Sequence, residues 1–210
     1  MTLEVLAESA ARWEEVPFVP EIRLLTTAEP SGLWELWDRT ERDAPPFWAF
    51  PWAGGQALAR YVLDHPGTVR SRHVLDAASG SGLVAIAAAK AGAVSVTSGD
   101  IDQNAIAAIG VNATANGAAV TARAFDFAAD DACGAEVILA ADVFYQRELA
   151  ALALRFLTRA ARSGADVLVA DPGRAFLPAA SLTPLISYQV PVLRELEDVP
   201  VKTVMVYRLA

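Results

Sequence analysis

The sequence predicts an α/β fold: a parallel sheet of five strands, extended to seven by a C-terminal antiparallel hairpin, with helices on both faces and an N-terminal extension. Three observations predict it. From residue 54 onward, short apolar runs alternate with helical stretches, the order that right-handed crossovers in a parallel sheet require. Most helical stretches stop at glycine or at Pro66-Gly67. The last two apolar runs have no room for a helix between them, so they should pair as a hairpin at the sheet edge.

Each element follows in order. Residues 56–64 place Leu58, Tyr61, Val62 and Leu63 at helical positions, before Pro66-Gly67. Residues 73–77 are a short apolar run stopped by a small-residue turn. A helix over 83–91 closes at Gly92, a strand covers 94–99, and a helix over 103–116 ends at Gly117. Strands over 120–125 and 136–141, a helix over 148–161 and a strand over 166–170 continue the alternation. The terminal runs are 188–196 and 201–209, joined by Glu197-Asp198-Val199-Pro200. The sheet is thus Rossmann-like, but a dinucleotide dehydrogenase would continue with crossovers where this chain turns to a hairpin. Residues 1–50 are mixed and turn-rich, and carry Trp13, Trp34, Trp37 and Trp48. Ser31 could cap a short helix presenting Leu33, Trp34 and Trp37, before Ala44-Pro45-Pro46 breaks any helix. The expected division is an extension or lid over 1–50 and the main domain over 51–210.

The composition excludes several classes. The chain has 210 residues and a formal net charge of −8, with its 17 Lys and Arg forming no run, which argues against a nucleic-acid face. No apolar window reaches the length of about eighteen residues that a membrane helix needs. The first twelve residues do not read as a signal peptide. The one cysteine, Cys133, cannot form an internal disulfide, and it has no metal-ligand spacing to His65 or His73. The expectation is a cytoplasmic, metal-free monomer.

The strongest local signal is Val74-Leu75-Asp76-Ala77-Ala78-Ser79-Gly80-Ser81-Gly82, between the first parallel strand and its helix. Small residues let the backbone approach a ligand at a helix N-terminus. Asp76 at the strand end should point at that ligand, repelling a phosphate and favouring a cationic amino acid. About twenty residues on, Asp100 ends the next strand, where a carboxylate accepts both hydroxyls of a ribose. Asp102 reads instead as the N-cap of the following helix. Asp126 follows the third strand, where a carboxylate can take the exocyclic amine of adenine; a solvated loop aspartate is the alternative.

The Asp76 loop, Asp100, Asp126 and the terminal hairpin resemble class I methyltransferases dependent on S-adenosylmethionine (SAM). Two further segments narrow the resemblance. Residues 47–58, Phe-Trp-Ala-Phe-Pro-Trp-Ala-Gly-Gly-Gln-Ala-Leu, precede the domain, and Asp142-Val143-Phe144-Tyr145 matches the Asp-x-x-Phe/Tyr motif of seven-strand protein lysine methyltransferases. With Val19-Pro20-Glu21-Ile22-Arg23-Leu24-Leu25 and Asp171-Pro172-Gly173-Arg174, they resemble the lysine methyltransferases of the electron-transfer flavoprotein beta subunit. The likeness runs from about residue 19 to the C-terminus.

The resemblance implies a SAM site at Trp52, Asp76, Ala78, Ser79, Gly80, Gly82, Asp100, Ile101, Asp126, Phe127 and Ala141. It implies a reacting pair, Asp142 orienting the substrate amine and Tyr145 walling its channel, and the flavoprotein beta subunit as protein partner. Core packing remains open for Trp52 and Tyr145, and an ordinary strand end for Asp171. One position departs from the family pattern: Ala78 stands where the loop usually starts with glycine. Alanine disfavours positive φ, so this reading of the loop requires a turn that keeps negative φ there. Two other functions fit the same residues. One is a small-molecule N-methyltransferase of the nicotinamide N-methylase type, or a ribosomal-protein methyltransferase; the other is a SAM-binding protein without catalysis.

Overall fold

The order of strands in the main sheet determines where a ligand can enter. In the computed structural model, which describes residues 11–27, 32–33, 45–197 and 199–209, two strands, β1 (Ala11–Val16) and β2 (Val19–Thr27), form a separate antiparallel hairpin. The main sheet contains β3 (His73–Ala77), β4 (Ser95–Asp100), β5 (Thr121–Ala124), β6 (Val137–Ala141), β7 (Asp166–Asp171), β8 (Leu182–Pro191) and β9 (Val201–Leu209). Their order is β5-β4-β3-β6-β7-β9-β8, with the first five parallel and β9 antiparallel to both β7 and β8. The chain reverses its direction of growth between β3 and β6, and the carboxyl ends of those two strands border a crevice. The helix cap expected at Ser31, the apolar Trp34 and Trp37, and the break at Ala44 lie outside the described residues.

Helices cover both faces. They are α1 (Ala53–Asp64), α2 (Leu83–Lys90), α3 (Gln103–Ala115) and α4 (Arg147–Arg162). Helix α2 is apolar on all sides, and its residues Leu83 to Ala88 are all buried. Helix α4 is amphipathic instead: Ala150, Ala153, Phe156, Leu157 and Ala160 recur at helical spacing and turn to the sheet, with its arginines outside. Strand β3 buries Val74, Leu75, Asp76 and Ala77 because both faces are covered, and so reads as a continuous run rather than an alternation.

Two regions differ from the sequence expectation. The hairpin β1–β2 was not legible in the turn-rich first fifty residues. Its Val16, Val19, Ile22 and Leu24 join the core under α1 and α2. The free edge of β2 is satisfied by side chains of α3 and its C-cap: Leu25 N donates to Asn112 Oδ1 at 2.9 Å, and Arg23 N donates to Asn116 Oδ1 at 3.1 Å. Beyond β1, the outer edge of β2 is thus met by asparagines and not by a further strand.

The second difference is at the C-terminus. The strand expected over 188–196 lies at Leu182–Pro191, and a helical turn, α5 (Arg194–Glu197), occupies the connection where no helix was expected. Strand β8 is the sheet edge and absorbs Pro184 beside a bulge, which removed the sequence signal for its start. The helical turn is held by Glu197, whose side chain is 4% exposed between Arg174 and Lys202.

Asn112 also donates through Nδ2 to Ser81 O at 2.8 Å, so one buried amide ties β2, α3 and the loop after β3 together. Asn112→Ala strands a half-buried N–H of Leu25 and a buried C=O of Ser81. It should therefore lower unfolding stability by about 2–3 kcal/mol, measured by urea titration.

Candidate active site

The loop between β3 and α2 turns on left-handed residues: Ala78, Gly80 and Gly82 have φ of 56, 56 and 84 degrees. Ala78 thus adopts the positive φ that its side chain disfavours, which overturns the reading of this loop as a turn that keeps negative φ there. The strain of an L-residue there is about 1–2 kcal/mol. It is carried by the anchored residues around it: Ser79 N donates to Gly99 O at 3.0 Å and Gly80 N donates to Asp100 Oδ2 at 2.8 Å. At Gly82 a side chain would meet Ile109 at 3.3 Å, so glycine is needed there for the close approach of α3 as well as for its φ.

Asp76 does not point outward at a ligand, as the sequence suggested. It is buried, and Oδ2 accepts from Ser79 Oγ and from Ala85 N at 3.0 Å. Gly82 is the N-cap of α2 and has no side chain to cap with, so Asp76 satisfies a first-turn N–H in its place. Burial pushes its carboxyl up to about 7, and the nearby Asp100 adds to the rise.

Asp100 is disposed differently. Each oxygen accepts one backbone hydrogen bond, from Gly80 N at 2.8 Å and from Asp102 N at 3.0 Å. Among the described residues no Lys or Arg forms an ion pair with it, and burial raises its pKa. One lone pair on each oxygen is left for further donors, which suits a ribose diol. Two carboxylates beside the loop would repel a pyrophosphate, whereas SAM carries no phosphate. Ile101, 72% exposed directly after Asp100, offers an apolar surface where a purine would lie. Asp102 caps α3, accepting from Asn104 N at 2.8 Å.

At the end of β5, Asp126 is partly exposed and accepts from Ala128 N at 2.8 Å through Oδ1. The ring of Phe127 departs from the expected ligand contact. It is 7% exposed and packs edge-on with Phe125 and Phe156 at 5.3 and 5.5 Å, because the crossover from β5 to β6 has no helix and this aromatic cluster fills the space.

Across the crevice, Asp142 follows Ala141 of β6 with φ of 55 degrees. Its side chain is 12% exposed. Gly55 N, in the first turn of α1, donates to Oδ2 at 3.0 Å, and Arg174 Nη2 lies 3.2 Å from Oδ1. A Cβ on Gly54 would stand 2.5 Å from Asp142 Oδ2, so only glycine lets the helix come this close. Burial pushes the Asp142 carboxyl up to about 6; Arg174 opposes the rise and Asp171 adds to it. Tyr145 is 38% exposed, and burial pushes its phenol up, with Asp100 and then Asp142 contributing. The ring therefore lies in the field of both carboxylates. It meets Phe47 edge-on at 5.7 Å, Phe47 meets Trp52 at 5.8 Å, and Trp52 Nε1 donates to Phe47 O at 2.7 Å, forming an aromatic wall. Trp52 also lines a cavity of about 100 Å³ with Pro51, Gln56, Val192, Leu196 and Glu197.

Sequence reasoning did not assign Arg174, Glu197 or Trp48. Trp48 is buried, and its Cα lies 3.8 Å from where a Cβ on Gly80 would stand, so the 47–49 turn backs the glycine loop. Arg174 had a signal in Asp171-Pro172-Gly173-Arg174. Glu197 had none, since its burial depends on the helical turn α5.

A sheet of this order with carboxylates at the ends of β3, β4 and β6 has the fold of class I methyltransferases. A solved structure with that fold is the magnesium protoporphyrin IX methyltransferase of Synechocystis PCC 6803 with bound S-adenosylhomocysteine. It is 14% identical, covers 87% of this chain and 96% of its own, and has a TM-score of 0.54. Residues 57–161 match the model of the ribosomal protein L11 methyltransferase (PrmA) family. The electron transfer flavoprotein beta subunit lysine methyltransferase of Xenopus laevis is 41% identical over 76% of this chain. That of Mus musculus is 37% identical over 82%. The chain belongs to this lysine methyltransferase family. It spans 65% of the frog relative's length and 70% of the mouse relative's. Among the described residues no helix is long and apolar enough to cross a membrane.

Ala78→Gly relieves the left-handed alanine, partly offset by the greater freedom of glycine in the unfolded chain. It should raise stability by up to about 1 kcal/mol and leave SAM affinity equal or better, measured by thermal melting and calorimetry.

Proposed function

We propose that this chain is a methyltransferase that modifies a protein lysine, with the beta subunit of an electron transfer flavoprotein as its substrate. The observation that carries this reading is the Asp142 carboxylate. It is almost buried beside the half-exposed Tyr145, across the crevice from Asp100. The family relation supports both the SAM donor and the protein acceptor. On this reading Asp100 accepts from the ribose hydroxyls, the backbone of Ser79 to Gly82 lies along the amino-acid part, and Ile101, Asp126 and the backbone of Phe127 border the adenine. Ala141 and Trp52 border the methyl-bearing end. Residues 1–50 are proposed as an extension that covers this end of the domain.

SAM, when bound, supplies an electrophilic methyl group that needs no activation by the protein. The chain must align the acceptor, exclude water and take a neutral amine. A free lysine has a pKa near 10.4, so neutralising it at pH 7.4 costs about 4 kcal/mol. The aromatic wall of Tyr145, Phe47 and Trp52 lowers that cost by excluding water. Asp142 orients the amine through the position on Oδ2 that Gly55 leaves unused, since Arg174 occupies Oδ1. Ionised, it also favours the ammonium form, so its role is orientation rather than strong base catalysis.

Asp100→Ala should lower SAM affinity about a hundredfold or more, since two charge-assisted bonds are lost and each is worth about 1.5–3 kcal/mol; unchanged affinity in calorimetry would move the ribose site elsewhere. Asp142→Asn should bind SAM normally and lose about a hundredfold in methyl transfer to the flavoprotein beta subunit. A ribosomal protein and nicotinamide serve as control acceptors, and labelling of nicotinamide in place of protein would favour the small-molecule reading. The same variant has a stability signature. Because the folded pKa of Asp142, about 6, lies above its ordinary value, its contribution to stability is present at low pH and lost as pH rises through 6. The parent should accordingly lose stability as pH rises from about 4 through 6, and Asp142→Asn, which cannot ionise, should lack that part of the pH dependence, measured by thermal melting across the range.

A further inference from the structure

We propose that Arg174 is the positioning residue for Asp142, and that Glu197 in the β8–β9 connection locks it in place. The inference rests on Asp142 being the group that meets the substrate amine.

Four side chains form one chain of contacts. Lys202 Nζ pairs with Glu197 Oε2, Glu197 Oε1 lies 3.2 Å from Arg174 Nη2, and the same Nη2 lies 3.2 Å from Asp142 Oδ1. Arg174 Nε is 3.4 Å from that oxygen. Exposure along the chain is 27% for Lys202, 4% for Glu197, 21% for Arg174 and 12% for Asp142, so solvent screens these pairs weakly. The backbone of Arg174 is fixed as well, since its N–H donates to Asp171 Oδ1 at 2.6 Å and that of Gly173 donates at 2.7 Å. The guanidinium therefore starts from a rigid turn and ends against a braced carboxylate.

On the other side of Asp142, Gly55 N holds Oδ2, and Gly54 leaves no space even for a methyl group. The carboxylate is gripped from two directions. The charged and titratable groups that face it are Arg174 and Asp171 from the end of β7, Glu197 from α5, and Tyr145 after β6, with the Gly55 N–H from α1. Asp142, Asp171 and Glu197 outnumber Arg174 and Lys202 by one negative charge. Arg174 is the cation in direct contact with Asp142, and without it the buried carboxyl would take up a proton near neutral pH. A protonated, ungripped Asp142 would neither point at an amine nor attract one. Arg174 acts through Asp142 and does not itself touch the reacting atoms.

The test uses the full chain with Arg174→Gln and Arg174→Lys. In the unaltered protein the Asp142 carboxyl, assigned by its loss in Asp142→Asn, should titrate near pH 6 by carbon-13 NMR. In Arg174→Gln the midpoint should rise by about one pH unit or more. Methyl transfer at pH 7 should fall about tenfold or more, SAM affinity should hold, and the acid limb of the pH–rate profile should move upward with the carboxyl. Arg174→Lys restores the charge but not the two-armed grip, so it should return the midpoint and the profile while leaving the rate below that of the parent. An unchanged Asp142 midpoint in Arg174→Gln overturns the proposal. If Arg174→Gln does not fold, the guanidinium resonances of Arg174 in the unaltered protein decide the matter. They should follow a transition near pH 6 that disappears in Asp142→Asn, and their failure to do so overturns the proposal. The titrations need no turnover, so an unaltered protein inactive on every acceptor would count against the proposed function and not against the role of Arg174.

Discussion

A nearly buried carboxylate needs compensating donors, and Asp142 receives them from parts of the chain far apart in sequence. Gly55 approaches it from the start of α1, Arg174 from the turn after β7, and Glu197 steadies Arg174 from α5. Removing one partner of a buried ion pair costs about 3–5 kcal/mol, because the remaining charge stays in a low dielectric. The crevice end of the sheet is therefore organised around a single anion. The docking of α1, the conformation after β7 and the helical turn before β9 all follow from holding it.

The opposite wall of the crevice uses carboxylates in two ways. Asp76 is turned into the loop and caps α2, so its charge supports the backbone. Asp100 keeps a lone pair on each oxygen and has only backbone donors, so its capacity remains available to a ligand. The two aspartates have different roles because Asp76, in register with Ser98, meets a helix N-terminus, whereas Asp100, two residues further along, meets the open end of the crevice.

Strain marks both walls. Ala78 and Asp142 are left-handed non-glycine residues, at φ of 56 and 55 degrees, one after β3 and one after β6. Each re-aims the chain as it leaves the sheet at the point where strand order reverses. Such conformations persist only where surrounding contacts hold them. Here these are the Ser79 and Gly80 anchors on one side, and Ala170, whose carbonyl accepts from Asp142 N at 3.1 Å, on the other.

The sequence by itself determined the parallel alternation, the strand His73–Ala77, the cap at Asp102 and the hairpin at the end of the sheet. These depend on local signals: apolar runs covered on both faces, a short acidic side chain before a helix, and glycines at helix ends. The tertiary structure decided what needed a distant partner. The hairpin β1–β2 owes its outer edge to Asn112 and Asn116, about ninety residues away. The inward turn of Asp76 follows from the missing side chain of Gly82, and the left-handed Ala78 from its anchored neighbours. Glu197 is buried only because Arg174 and Lys202 come to meet it. No spacing along the chain encodes those meetings, since a carboxylate becomes a site residue only when folding brings a helix end or a guanidinium within hydrogen-bonding distance.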